Sequence, residues 1–245
     1  MTAVSAARPS AANPISAMFA EGRTTTVMTI GLIAIIAMMV LPAPAIILDI
    51  GLTVSFALSM LVFALTLFIR RPVEFSGFPT ILLGAVMLRL SLNISSTRLI
   101  IGEGHTGTDA AGAVIQGFAM FIMDGNIFIG LVVFCVIMIV NFMVITKGAG
   151  RMAEVGARFA LDGMPGKQLA IDSDVAAGAI SHEEAQERRK REQDETAFFG
   201  SLDGASKFVK GDAVAGLVIT ALNLIVGIAV GVGSHGLSFA EAVET

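Results

Sequence analysis

The chain is poor in charge, in cysteine and in polar aromatic residues. Only 15% of its 245 residues are charged and 55% are hydrophobic, which excludes an ordinary soluble domain and favours a membrane protein. The single cysteine, Cys135, excludes a disulfide framework and a cysteine-rich metal site. The sequence has no Trp and no Tyr, so phenylalanine and the Arg70–Arg71 pair are the expected interface anchors.

Long uncharged runs occupy much of the remaining sequence. A hydrocarbon core of about 30 Å needs roughly 20 helical residues, so these runs predict an all-α, polytopic membrane protein with about five transmembrane helices. The predicted spans are 27–48, 50–69, 78–101, 125–146 and 213–234. The predicted organisation is a tail (1–26), four spans (27–146), a charged loop (147–212), a fifth span (213–234) and a short outer segment (235–245).

The distribution of basic residues predicts the orientation. Every Lys and Arg except Arg89 and Arg98 lies in the tail, in the loop near residue 70 or in 147–212. Because basic residues are retained on the cytoplasmic side, the N-terminus is predicted to be cytoplasmic. Five crossings place the end of the sequence outside, directly after a span, so we expect the sequence to be part of a larger protein.

Arg89 and Arg98 interrupt the third predicted span. A charge near the bilayer centre costs on the order of 2.5 to 3.5 kcal/mol, so such residues normally face protein or water. Arg98 lies near the outer end, at the depth of Asp49 in the expected turn between the first two spans, which predicts an Asp49–Arg98 ion pair. Arg89 lies on the opposite helix face and predicts a separate polar contact. Both arginines are either structural groups or parts of an ion path.

The loop 147–212 carries nearly balanced charges, which favours a folded or partner-binding segment over a nucleic-acid patch. Four charged residues recur on one helix face, and Glu154 is well placed to pair with Arg158. This face is either a solvated surface or an interaction surface: Arg151, Glu154, Arg158 and Asp162.

Two further signals lie in the same loop. The glycines and proline of GMPGKQ (163–168) predict a helix break. Ser181 and Glu184 then have the spacing of a capping box, which predicts the start of a charged helix.

Charged residues also precede the last predicted span, among them Asp203, Lys207 and Asp212. An acid at the edge of the membrane is a candidate proton relay. The alternative for Asp212 is an ordinary helix N-cap.

The sequence predicts no catalytic, metal or cofactor site. GEGHTG (102–107) matches a dinucleotide-binding pattern but opens no strand-to-helix unit. The three histidines lie far apart in sequence, which argues against a metal site or a catalytic triad: His105, His182 and His235. We therefore expect no enzyme activity and no cofactor.

Three segments resemble a known family. Residues 78–100 (FPTILLGAVMLRLSLNISSTRLI), 125–174 (from GNIFIGLVV to MPGKQLAIDSD) and 203–216 (DGASKFVKGDAVAG) resemble the membrane half of the FlhA family of type III export proteins. The resemblance covers most of residues 25–233, and its region from MPGKQ to KGDA is highly specific. GASKF favours the flagellar branch over the injectisome branch, in which methionine is common at the position of Ser206.

The resemblance implies functional roles for particular charged residues. Asp212 matches the acid that is proposed to take part in proton passage in the family. The implied positions are Asp49, Arg98, Arg151, Arg158, Asp162, Lys207 and Asp212. Together with the pattern-based candidates, they give a candidate proton path of Asp212, Asp49, Arg98 and Arg89. They also give a candidate coupling surface of Arg151, Glu154, Arg158, Asp162, Lys207 and Asp203.

The resemblance also implies a location and partners. It implies an export gate in the bacterial inner membrane that couples proton-motive force to the export of flagellar subunits. The implied partners are further copies in a nine-membered ring, FlhB, the FliP/FliQ/FliR channel, the FliH/FliI/FliJ ATPase complex, flagellar substrates with their chaperones, and membrane lipid, but no nucleic acid. The alternatives are an injectisome export gate and a passive ring scaffold without its own ion conduction.

Overall fold

The computed structural model describes residues 14–69 and 72–244, and every regular element within them is helical. Expectations that concern residues 1–13, Arg70 and Arg71 lie outside the described residues. The α-helices in the described residues are α1 (Pro14–Val40), α2 (Ala45–Phe68), α3 (Phe78–Glu103), α4 (Ala113–Met123), α5 (Ile127–Asn141), α6 (Gly150–Ala176), α7 (His182–Ser234) and α8 (Phe239–Glu244). A π-helical segment, Phe142–Ala149, joins α5 to α6.

The prediction of an all-α, polytopic membrane protein is confirmed. Among the described residues, four helices are long and apolar enough to cross a membrane: Ala45–Phe68, Phe78–Thr106, Phe128–Ala176 and His182–Ser234. These helices present large apolar side chains outwards, and Phe68 of α2, for example, is 82% exposed. Such a surface suits lipid or neighbouring protein and does not suit water.

The predicted end of the first span, at residue 48, is wrong. Helix α1 ends at Val40 and α2 begins at Ala45, so Asp49 lies inside α2 and not in a turn. The physical reason is the pair Pro42 and Pro44, because proline has no N–H and the residue before it avoids the helical conformation.

Helix α3 supplies the hydrogen bonds that these two prolines remove. The carbonyl groups of Met38 and Val40 lie four residues before the prolines and therefore lack their helical N–H donors. The Ser95 hydroxyl donates to the Met38 carbonyl oxygen at 3.0 Å, and Arg98 Nη1 donates to the Val40 carbonyl oxygen at 2.8 Å. Ser95 and Arg98 thus replace the missing backbone donors at the end of α1, and we call these two residues the substitute cap of α1.

The core forms where α3 packs against its neighbours α1, α2 and α7. Leu48 of α2 is fully buried together with Leu92 and Leu99 of α3. Gly51 allows the close approach of α2, because a Cβ atom there would lie 2.5 Å from Leu92 Cδ2. Helix α3 is therefore the central helix of the apolar part of the chain.

Residues 147–212 form a long helical hairpin. Helix α6 continues from α5 through the π-helical segment, and α7 runs uninterrupted from the hairpin into the apolar sequence after Asp212. The chain turns at 177–181, where Gly178 has a φ of +69°. The predicted start of the charged helix is confirmed, since the Glu184 N–H donates to Ser181 Oγ at 3.1 Å.

The helix break predicted at GMPGKQ is wrong, because α6 continues through Pro165. Proline removes one backbone hydrogen bond, but packing against a neighbouring helix can compensate for a poor local sequence. Just beyond the proline, Lys167 Nζ lies 2.6 Å from Glu192 Oε2 and 3.8 Å from Glu195 Oε2 on α7. Two more ion pairs nearer the turn join the same helices: Arg188–Asp174 and Arg189–Asp172.

We predict that Ser95→Ala lowers the free energy of unfolding by about 1 kcal/mol, because it leaves the partly buried Met38 carbonyl without a donor. Ser96→Ala is the matched control, since the Ser96 hydroxyl donates only to the Asn93 carbonyl of its own helix. Reversible unfolding in mixed detergent micelles measures both variants. Equal losses for the two variants would contradict the substitute cap.

Candidate functional site

The candidate site is an ion pair between α3 and α7. Arg89 Nε lies 3.5 Å from Asp212 Oδ2. The Asp212 side chain is 3% exposed, and its Oδ1 atom is buried without a hydrogen-bond partner among the described residues. A buried carboxylate with one charged partner is costly to ionise. Whether Asp212 carries a charge therefore depends strongly on the groups around it.

The pair answers two sequence expectations. The separate polar contact expected for Arg89 is confirmed, and it is an ion pair with a residue that lies 123 positions further along the chain. The alternative that Asp212 is a helix N-cap is wrong, because α7 begins thirty residues earlier at His182 and passes through Asp212 as one helix. Asp212 therefore has no local structural role at a helix end.

A polar cavity of about 200 Å³ adjoins the ion pair. Arg89 lines it on one side, with side chains from α3, α5 and α7 around it. The polar lining residues are Arg89, Asn93, Ser96, Asn141, Thr220 and Asn223. Asn223 Oδ1 is a further buried atom without a hydrogen-bond partner in the described part of the chain. A cavity of this size with several polar groups has room for water.

The predicted Asp49–Arg98 ion pair is wrong. Asp49 Oδ2 and Oδ1 instead accept hydrogen bonds from the Ala113 and Val114 N–H groups, both at 3.0 Å, and Arg98 contacts α1 as described above. Asp49 of α2 thus caps the N-terminus of α4, where backbone N–H groups need acceptors and favour a negative charge. The geometry gives Asp49 a structural contact, and its place in a proton path stays a prediction.

The coupling surface is only partly assembled within the chain. Lys207 Nζ lies 2.8 Å from Asp203 Oδ2, in the polar part of α7 that precedes the apolar sequence. This hydrogen bond raises the pKa of the Lys207 ammonium, and Glu154 of α6 adds a smaller electrostatic attraction. The expected Glu154–Arg158 pair is absent from the ion pairs of the described residues. The other members are exposed on α6: Arg151, Arg158 and Asp162.

Sequence reasoning missed several polar residues at membrane depth. Asn141, Thr220 and Asn223 lie singly within long apolar runs, and this isolation was the only signal for them. It also missed that His105 and His235 stack with their ring centroids 3.7 Å apart, despite their separation in sequence. Which polar residues share an interior depends on how the helices pair, and a single sequence does not give that pairing.

Long apolar helices around a buried carboxylate, its arginine partner and a polar cavity define a polytopic α-helical membrane protein with an ionisable interior. The model of the FHIPEP family matches residues 35–245. The chain is 55% identical over 214 residues to "Flagellar biosynthesis protein FlhA" of Escherichia coli (strain K12), and 52% identical over 218 residues to the protein of that name from Caulobacter vibrioides. These alignments cover 87% and 89% of this chain.

The chain therefore belongs to the FHIPEP family, and the resemblance to the FlhA family is confirmed. A protein of the same name from Proteus mirabilis is also 55% identical over 87% of this chain. The chain spans 31% of the length of each of these three relatives. No solved structure matches the chain.

We predict that Gly112→Ala lowers the free energy of unfolding by about 1 to 3 kcal/mol. Gly112 has a φ of +106°, and an added Cβ atom would overlap Asp49 Oδ1 and displace the cap of α4. Gly117→Ala is the matched control, because a Cβ atom there meets nothing within 4 Å. The control should be neutral or stabilising, since alanine is the better helix former. Detergent unfolding that ranks the two variants in the opposite order would contradict this role of Asp49.

Proposed function

We propose that this chain is membrane sequence of a flagellar protein export gate and that Asp212 binds and releases protons as subunits are exported. The names of the similar proteins support the flagellar assignment. The observation that carries the proton role is the burial of Asp212 beside Arg89, with a polar cavity adjoining the pair. An ionisable group in such a position is expensive to keep and is expected to have a function.

The ion pair suggests how proton binding is converted into movement. Ionised Asp212 attracts Arg89, because the carboxylate is buried and the arginine is the charged group beside it. Protonation removes that attraction and releases Arg89 towards the adjoining cavity, which changes the packing of α3 against α7. Release of the proton restores the pair, so one cycle moves the two helices between two arrangements.

Helix α7 offers a path from this event to the cytoplasm. Asp212 is thirty residues from the start of α7 at His182, so the helix extends about 45 Å beyond the ion pair. The Asp203–Lys207 pair lies within the first three turns of that extension. Exposed charges on α6 then present a surface to other components of the apparatus: Arg151, Arg158 and Asp162.

The wider setting is part of the same proposal. The protein is a multi-pass inner-membrane protein with a cytoplasmic N-terminus, and 147–212 is its cytoplasmic loop. Copies of it form a ring with FlhB and the FliP/FliQ/FliR channel, and the ring receives substrates, chaperones and the FliH/FliI/FliJ complex. The outward apolar side chains of the membrane helices provide surface for lipid and for neighbouring copies.

A passive ring scaffold is the second candidate. The contacts of Asp49 and Arg98 favour it in part, because both residues satisfy backbone groups of neighbouring helices. Two of the four residues in the candidate proton path thus have contacts that a scaffold also needs. Arg89 and Asp212 are the residues that separate the two candidates.

We predict that Asp212→Asn abolishes export and proton flux while leaving the amount of assembled ring unchanged. The amide has the shape of the carboxylate but cannot gain or lose a proton at neutral pH. Asp194→Asn is the matched control, since it makes the same change at an exposed position of the same helix. Export is measured as secreted flagellar subunit, and assembly is measured as ring particles extracted in detergent. Loss of the ring in Asp212→Asn, or undiminished export, would favour the scaffold.

A further inference from the structure

Asp212 and His235 mark the two ends of the apolar part of α7. Asp212 lies within α7, and His235 directly follows the last residue of that helix. The two residues are 23 positions apart, which corresponds to about 34 Å along the helix axis. This distance is close to the thickness of a hydrocarbon core, about 30 Å. The two ionisable groups therefore lie near opposite surfaces of the membrane.

His235 meets His105 at the outer surface. His105 follows the end of α3 and His235 follows the end of α7, and their rings stack with an interplanar angle of 5°. Both residues are exposed. The two helices that are joined by the Arg89–Asp212 pair are thus also joined, just beyond their outer ends, by two imidazole rings.

Two adjoining cavities connect these positions. A second cavity, of about 480 Å³, lies between the outer parts of α3, α5 and α7, with His105 and His235 in its wall. Phe134, Thr220 and Asn223 line both this cavity and the polar cavity beside Arg89. The cavities therefore meet at mid-depth, where Asn223 has its buried, unpartnered oxygen.

The residues that line the two cavities lie along one face of α3 and one face of α7. On α3, the cavity residues Arg89, Asn93, Ser96 and Ile100 recur at the spacing of one helix face. On α7, one face likewise carries Gly216, Thr220, Asn223, Gly227 and Gly231. The small residues on α7 leave space beside the polar residues of α3. We name this contact between the two faces the α3–α7 seam.

We propose that the α3–α7 seam is a hydrated proton route, with the stacked His105–His235 pair as its outer mouth and Asp212 as its inner acceptor. The inference rests on the proposed proton role of Asp212 and extends it to the whole thickness of the membrane. Protons are the only species that moves, and no bond other than O–H and N–H is made or broken.

The chemistry of the histidine pair suits a mouth. An imidazole can accept a proton at one ring nitrogen and release it from a ring nitrogen, and here two such rings lie 3.7 Å apart. A proton taken from external water protonates one imidazole, and the imidazole then gives that proton to water in the outer cavity. The water relay passes it by Asn223 and Thr220 to Asp212, which releases Arg89 and later loses the proton to the cytoplasmic side.

The charges around the pair favour protons over anions. Among the described residues that line the outer cavity, His105 and His235 are the only titratable groups. The sequence on either side of His105 carries Glu103 and Asp109, and Asp124 directly follows Met123, which lines the outer cavity. The basic residue nearest the outer end of α3 is Arg98, which is bound to the Val40 carbonyl of α1.

The first test measures whether water reaches the seam. In the full-length protein with Cys135→Ser, we compare Asn223→Cys in the seam with Ile225→Cys, a position 68% exposed outside it on the same helix. A membrane-impermeant cationic methanethiosulfonate reagent is applied to the outside of spheroplasts. Asn223→Cys should react and Ile225→Cys should not, because the reactive thiolate forms in water and not in lipid. Protection of Asn223→Cys, or equal labelling of both positions, would overturn the hydrated route.

The second test measures whether proton flux depends on the His105–His235 pair. Proton flux is followed with a trapped pH-sensitive dye in right-side-out membrane vesicles, while the external pH is varied between about 5 and 8, where histidine titrates. The His105→Asn/His235→Asn double variant should lose flux and lose its dependence on external pH. His182→Asn, which changes the third histidine at the cytoplasmic start of α7, should retain both.

The flux test separates the inference from the proposed function. Asp212→Asn is measured alongside and should stop the flux. If Asp212→Asn stops the flux but the histidine double variant retains the parent rate and pH profile, the mouth is overturned and the role of Asp212 stands. If neither variant changes the flux, both proposals fail.

Discussion

One interaction underlies the proposed mechanism, the contact of a buried carboxylate with an arginine between two membrane helices. Asp212 is almost completely buried, and among the described residues Arg89 is its one charged partner. Such a pair contributes little net stability, because desolvation of the carboxylate offsets the attraction. Its importance lies in the proposed mechanism, in which the packing of α3 against α7 depends on whether Asp212 holds a proton. Helix α7 is continuous from this contact into the hairpin and would carry that dependence there.

The two arginines of α3 illustrate why charge alone does not identify function in a membrane. Arg98 serves α1, whose last turn lacks backbone donors because of Pro42 and Pro44. Arg89 serves a charged group and borders a cavity. Both arginines satisfy the rule that polar groups inside a membrane must be paired. Only Arg89 has a partner that can lose its charge.

The sequence predicted the helical class, the charged helix that begins after Ser181, and separate contacts for Arg89 and Arg98. These features depend on local composition and on helical period, which a single chain displays directly. It failed where tertiary packing decides the outcome. Pro165 stays within α6 because α7 supplies ion pairs beside it, and Asp49 caps α4 because α4 folds back against α2.

The end of the first span was a different kind of error. Pro42 and Pro44 are visible in the sequence, but the apolar run continues through them. The predicted span 27–48 therefore includes both prolines in one helix. The histidine stack and the cavity residues could not be predicted in this way. They lie far apart along the chain, and only the pairing of α3 with α7 brings them to one seam.

The most direct measurement of the central claim is infrared difference spectroscopy of the protein in lipid, between acidic and neutral pH. The account predicts a protonated carboxyl band that disappears in Asp212→Asn. The band should also be stronger at a given pH in Arg89→Gln, because the positive charge that favours the ionised carboxylate is gone. A spectrum in which no band depends on Asp212, or a band that Arg89→Gln leaves unchanged, would contradict it.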